Sequence, residues 1–95
     1  MLRILIVEDD SQLAATLKYL VEDNPRYRVV AIADDADSAI AAAQMHDPHL
    51  VLLDLHLAHG STGFSVAARL NEFGALCLFV SGKALIVERS SGEQA

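Results

Sequence analysis

The chain has 95 residues, which is enough for one small domain built around a single core. A composition of 53% apolar and 21% charged residues is typical of a globular protein and excludes disorder as the default. The formal net charge of −6 argues against nucleic acid or an anionic membrane as a direct partner, because either would repel the protein.

The first half of the chain predicts two strand–helix pairs. An apolar run at residues 2–7 predicts a strand, and Ser11 is expected to cap a helix that continues to the break at Asn24-Pro25. Residues 27–33 predict a second strand with fewer large apolar side chains, which favours a sheet edge. An alanine-rich second helix is expected to begin after Asp34-Asp35 and to end before the next proline.

Two later apolar runs predict strands that are buried on both faces. Residues 50–53 are four consecutive apolar residues without alternation, and residues 75–80 repeat this pattern. Cys77, the only cysteine, lies in the second run, which favours a core position and excludes a disulfide framework within one chain.

A third helix is expected between these runs, after a loop whose Gly60 and Gly63 allow a tight turn. Its predicted buried face holds Val66, Ala67, Leu70 and Phe73. Gly74 is expected to end this helix in the left-handed conformation.

The alternation of strands and helices predicts a three-layer α/β fold with a parallel sheet and helices on both faces. No apolar run is long enough to span a membrane or to form a signal peptide, so we expect a cytoplasmic protein.

Polar side chains follow three of the predicted strands. Glu8 and Asp9 come after the first strand, Asp54 after the third and Ser81 after the fourth. In open parallel sheets, ligands bind at the carboxyl ends of the strands. Two carboxylates about 5 Å apart repel by roughly 3 kcal/mol at an effective dielectric constant of about 20, so we expect a cation there. Oxygen ligands favour a hard divalent ion, Mg²⁺ before Ca²⁺, and the alternative is that the acids face water or cap helices.

Four motifs in this order resemble the receiver domain of two-component response regulators, the CheY-like family. They are the acidic pair Glu8-Asp9, the segment Val51-Leu52-Leu53-Asp54-Leu55, the loop Gly60-x-x-Gly63 and the strand end Val80-Ser81-Gly82. The resemblance covers residues 2–82. It implies a flavodoxin-like α/β/α fold with a parallel sheet in the strand order 2-1-3-4.

The resemblance also implies a role for the acidic residues. Asp54 would accept a phosphoryl group from the phosphohistidine of a sensor histidine kinase or a phosphotransfer protein. Asp9 and Asp54 would bind Mg²⁺, Glu8 would contribute through water, and the backbone carbonyl of His56 would complete the protein ligands. The output would be contact with another protein.

The C-terminal part both matches the family pattern and departs from it. The resemblance implies that Ser81 donates a hydrogen bond to the bound phosphoryl group and that Gly82 leaves space for it. The family's fifth strand, with its lysine, and the last helix are expected to be missing. Lys83 could reach towards the site, but a solvated loop charge is the favoured interpretation. We expect a receiver domain at residues 1–82 and a short tail at residues 83–95.

Without a fifth strand, the fourth strand would be an exposed apolar edge, and such an edge is a template for pairing with another chain. We therefore expect a homodimer, formed by pairing of this edge or by exchange of residues 84–89 between protomers.

The hypothesis of a phosphorylated receiver has two alternatives. The first is a degenerate receiver that binds a partner and dimerises without being switched. The second, a Mg²⁺-dependent phosphatase, is weaker because the sequence shows no second nucleophile or general-base pair. We therefore do not expect an enzyme.

Overall fold

A computed structural model describes residues 1–55 and 62–80, together with the backbone of residues 85–86. The elements, in chain order, are β1 (Leu2–Val7), α1 (Ser11–Glu22), β2 (Tyr27–Ala33), α2 (Ala36–His46), β3 (Leu50–Leu53), α3 (Gly63–Asn71), β4 (Leu76–Val80) and β5 (Leu85–Ile86). None of the helices in the described ranges has the length and apolar character needed to cross a bilayer.

The strands form one sheet in the order β2-β1-β3-β4-β5. The first four are parallel, which confirms the predicted order 2-1-3-4 and the position of β2 at an edge. The register pairs Val7 with Leu53, the last residues of β1 and β3. Because these two strands end at the same level, the residues that follow them emerge side by side.

The edge next to β4 differs from the sequence prediction. A two-residue strand, β5, runs antiparallel to β4 and pairs Ile86 with Phe79 and Leu85 with Val80. The prediction that β4 would be a bare edge is therefore wrong at its C-terminal end, where the tail supplies a short strand. The predicted boundary between residues 82 and 83 stays a prediction.

Apolar side chains cover both faces of the sheet, as the uninterrupted apolar runs predict. On the face under α2 and α3, the buried strand residues are Leu5, Val7, Ala33, Val51, Leu53, Cys77 and Phe79. On the face under α1, they are Ile4, Ile6, Val29, Leu52 and Val80. In β1, β3 and β4, successive residues therefore alternate between the two cores, and the carboxyl ends of β1 and β3 are held from both sides.

The helix ends explain two of the acidic residues. Asp10, not Ser11 as predicted, is the N-cap of α1, where its carboxylate accepts hydrogen bonds from the backbone N–H groups of Gln12 and Leu13. Asp35 caps α2 through a capping box with Ser38. A charged cap of this kind satisfies N–H groups that have no partner within the helix.

The C-terminal part of α3 confirms one prediction and corrects another. Gly74 has a φ of 82°, so it adopts the left-handed conformation expected after a helix. Val66, Ala67 and Leu70 are buried as predicted, whereas Phe73 is 40% exposed. The spacing predicts Phe73 on the buried face, but α3 ends at Asn71 and the turn that follows leaves this ring partly exposed.

Candidate metal centre

The acidic residues of the candidate site follow directly from two neighbouring strands. Glu8 and Asp9 continue the chain after β1, and Asp54 continues it after β3. Sheet-like hydrogen bonds extend past the strand ends: the Glu8 backbone N–H donates to the Ala33 carbonyl, and the Asp54 N–H donates to the Val7 carbonyl, each at 2.9 Å. The backbone that carries the two acidic segments is therefore fixed by the sheet.

The three carboxylates meet at one point. Each of Glu8, Asp9 and Asp54 offers one oxygen, and these oxygens all lie within 4.8 Å of one another. Glu8 is buried with 4% exposure, Asp54 is half-buried and Asp9 is exposed. The site thus has a protein wall on one side and open solvent on the other.

This donor set fits a hard divalent cation. Mg²⁺ prefers oxygen ligands and retains several waters, so it is usually bound through one or two carboxylates rather than enclosed by protein. A cluster of three carboxylates with one exposed member supplies both the charge and the access to water. The prediction that Glu8, Asp9 and Asp54 come together is confirmed by the geometry.

Burial changes the acid–base chemistry of the cluster. Loss of hydration raises the pKa of Glu8 to about 7, and the negative charge of Asp54 adds to this shift. The Asp10 backbone N–H, which donates to Glu8 Oε2 at 3.1 Å, acts in the opposite direction. A cation between the carboxylates would favour the ionised form of Glu8.

Positive side chains do not neutralise the cluster within the described ranges. The ion pairs recorded there join Arg3 to Asp47 at 3.7 Å and Lys18 to Glu22 at 2.7 Å, and neither contacts the three carboxylates. The repulsion expected from the sequence is therefore present, and a bound cation would relieve it.

Several predicted site residues lie outside the described residues. These are His56, Ser81 and Gly82, together with Lys83. The carbonyl ligand, the phosphoryl hydrogen bond and the space next to it remain predictions from the resemblance.

Gly63 lies next to the site, and its position there differs from the one that the sequence predicts. Gly63 was expected to permit a tight turn, but it is the first residue of α3, and its backbone N–H donates to the Leu55 carbonyl at 2.8 Å. The signal that could have shown this is the sequence Thr62-Gly63, in which a glycine directly follows a good N-cap residue.

Comparison with known proteins identifies a family model and several relatives that match this chain. The family model described as "Response regulator receiver domain" matches residues 4–91. A protein-glutamate methylesterase/protein-glutamine glutaminase of Myxococcus xanthus is 31% identical over 83 residues, which are 87% of this chain and 23% of that protein. The transcriptional regulatory protein CitB of Klebsiella pneumoniae is 39% identical over 56 residues, 59% of this chain and 24% of that protein.

Solved structures show the same fold. A two-component response regulator of the LuxR family from Aurantimonas sp. matches with a TM-score of 0.77 and 30% identity, covering 83% of this chain and 57% of that one. The receiver domain of a modulated diguanylate cyclase from Desulfovibrio desulfuricans matches with a TM-score of 0.76 and 31% identity, covering 83% and 63%. The response regulator domain of Thermotoga maritima CheB has a TM-score of 0.79 at 22% identity, covering 85% and 60%, and supports the fold alone.

The matches cover a small part of the curated relatives but nearly all of this chain. The chain spans less than a quarter of the length of the two curated relatives described above, so the methylesterase and transcriptional activities in their names belong to longer proteins. The family model, by contrast, covers nearly the whole chain. The fold, the acidic cluster and this match agree: the chain belongs to the response regulator receiver domain family.

Proposed function

We propose that this chain is a phosphoryl-accepting receiver in which Asp54 is the acceptor and Glu8, Asp9 and Asp54 hold Mg²⁺. The observation that carries the proposal is the convergence of three carboxylate oxygens within 4.8 Å at the ends of two neighbouring strands. Asp54 is half-buried, so an attacking oxygen can have one side against the protein and the other towards a donor.

The proposed reaction is a transfer between two side chains. A carboxylate oxygen of Asp54 forms a bond to phosphorus while the phosphorus–nitrogen bond of the donor phosphohistidine breaks, and the leaving imidazole nitrogen takes a proton. Mg²⁺, when bound, supplies positive charge that offsets the charge of the phosphoryl oxygens. Asp9 and Glu8 hold that charge next to Asp54, and the sheet holds the Asp54 backbone in place through the hydrogen bond to Val7.

The remaining predicted roles are part of the proposal. The resemblance supports the backbone carbonyl of His56 as a further metal ligand, Ser81 as a hydrogen-bond donor to the phosphoryl group and Gly82 as the residue that leaves space for it. The family match, which extends to residue 91, includes all three positions.

The proposed partner is a sensor histidine kinase or a phosphotransfer protein, encountered in the cytoplasm, and the proposed output is protein contact rather than enzymatic turnover.

We also propose a homodimer, through the β4 edge or the tail. In the described part of the chain, β5 pairs with Phe79 and Val80 alone, and Leu76 at the other end of β4 is 49% exposed. A monomer in light scattering at micromolar protein concentration would contradict the dimer.

The function can be tested with a small phosphodonor such as acetyl phosphate. With Mg²⁺, we expect mass spectrometry to show one phosphoryl group per chain, which persists for minutes and is released by hydroxylamine, as an acyl phosphate is. With a chelator in place of Mg²⁺, the label should be absent.

Two other results would contradict the proposal. A chain that binds Mg²⁺ but takes up no label would be a non-switching interaction module. Continuous release of phosphate over many turnovers, without a labelled intermediate, would indicate a phosphatase.

A further inference from the structure

The start of α3 packs directly against the backbone that carries the acceptor. Gly63, the first residue of this helix, is buried, and its N–H donates to the Leu55 carbonyl at 2.8 Å. Thr62 caps the helix, since its side chain accepts a hydrogen bond from the Ser65 N–H. The N-terminus of α3 is therefore joined to the residue that follows Asp54.

There is no room for a side chain at this contact. A Cβ placed on Gly63 would lie 2.2 Å from the Asp54 carbonyl oxygen and 3.0 Å from both the Asp54 carbonyl carbon and the Leu55 Cα. All three atoms belong to the backbone, so rotation of a side chain cannot relieve the overlap. Either α3 or the end of β3 would have to move.

Both elements are held in place by their surroundings. Val66 and Leu70 anchor α3 in the core with exposures of 1% and 0%. Asp54 lies just past the last residue of β3, and the Asp54 N–H bond to the Val7 carbonyl holds its backbone to the sheet. Because neither element can move freely, an overlap at Gly63 strains the contact itself, and two of the three atoms in that contact belong to Asp54, the residue that carries the acceptor carboxylate.

From this contact we infer that Gly63 is a positioning residue for the acceptor. The missing side chain lets α3 close on the Asp54 backbone and hold the Asp54 carboxylate opposite Asp9. A misplacement of roughly 1 Å at a reacting group can lower a rate by about a hundredfold. The inference rests on the proposed phosphoryl transfer and adds a residue that contacts neither the ion nor the phosphoryl group.

The chain offers a matched control for a Gly63→Ala variant. Gly74 ends the same helix, and a Cβ there would meet nothing within 4 Å, but its φ of 82° disfavours a side chain. Gly74→Ala therefore introduces backbone strain and lowers stability without touching the acceptor. Comparison of the two variants separates a loss of positioning from a general loss of stability.

The test measures the rate of labelling by acetyl phosphate, the Mg²⁺ dissociation constant by calorimetry and the folded fraction by circular dichroism. For Gly63→Ala, we expect labelling of the folded protein to slow by about tenfold or more and Mg²⁺ binding to weaken, while Gly74→Ala stays within about twofold of wild type. Labelling of Gly63→Ala within about twofold of wild type would overturn the inference, even if wild type is labelled as proposed.

A second measurement applies if Gly63→Ala does not fold. In the wild-type protein, Mg²⁺ is titrated while the amide resonances are followed by NMR. We expect the Gly63 amide to shift with the site and the Gly74 amide to stay unchanged; a Gly63 resonance unaffected at Mg²⁺ saturation would overturn the inference. A wild-type chain that neither binds Mg²⁺ nor takes up label would refute the proposed function and this inference together.

Discussion

An Asp54→Asn variant is expected to take up no phosphoryl group from acetyl phosphate under conditions in which the wild-type chain is fully labelled. The amide has nearly the shape of the carboxylate, but it lacks the negative charge and the nucleophilic oxygen that form an acyl phosphate. The backbone hydrogen bond from the Asp54 N–H to the Val7 carbonyl does not involve the side chain, so the sheet is expected to remain intact.

The control for this variant is Asp37→Asn. Asp37 is exposed in the first turn of α2 and does not belong to the cluster of carboxylates. We expect this variant to be labelled at the wild-type rate. Label that appears on Asp54→Asn as fast as on wild type would place the acceptor elsewhere in the chain.

In the presence of a chelator, the free energy of unfolding is expected to fall as the pH rises from about 4.5 to about 7. The cause is Glu8, because burial raises its pKa from the ordinary value of 4.5 to about 7. The folded state therefore binds the proton more tightly than the unfolded state, and the stability that this provides below pH 4.5 is lost as Glu8 ionises. The shift corresponds to at most about 3 kcal/mol, because Glu8 and Asp54 interact and their protonation is coupled.

A Glu8→Gln variant is expected to remove this pH dependence. The neutral amide can still accept the hydrogen bond from the Asp10 N–H, and it carries no charge to bury. At pH 8 in chelator, the variant should be more stable than wild type by up to about 3 kcal/mol, with little difference below pH 4.5. Denaturant titrations at a series of pH values measure both effects.

Glu22→Gln is the matched control, because its effect has the opposite sign. The pKa of Glu22 is lowered, first by the hydrogen bond from Lys18 and next by the one from the Val29 N–H. Its charge therefore favours the folded state above pH 4.5, and the variant should be less stable than wild type at neutral pH. A wild-type stability that does not fall between pH 4.5 and 7 would contradict the assignment to Glu8.

The strands and the acidic cluster could be predicted because short stretches of the sequence contain their signals. The uninterrupted apolar run in β3 and the break at Asn24-Pro25 define elements whose ends agree closely with the structure. Parallel strands place their carboxyl ends at one edge of the sheet, so the strand pattern alone predicts that Asp9 and Asp54 lie close together. The N-cap of α1 was placed one residue too late, since Asp10 and Ser11 are both good capping residues.

The features that could not be predicted depend on contacts between distant elements. Glu8 and Asp9 are adjacent acids, and their order in the sequence does not show that Glu8 is buried while Asp9 is exposed. The closeness of Gly63 to the Asp54 backbone appears only when α3 is packed on the sheet. In the same way, the antiparallel β5 results from pairing with β4, and two residues carry too little pattern to predict it.

The proposed metal site is tested most directly by a crystal structure of the chain grown with Mn²⁺. This ion occupies oxygen sites similar to those of Mg²⁺ and gives an anomalous signal. We predict one anomalous peak between the carboxylates of Asp9 and Asp54, with metal–oxygen distances of about 2 Å. Clear density for both carboxylates turned away from each other, with no peak between them, would contradict it.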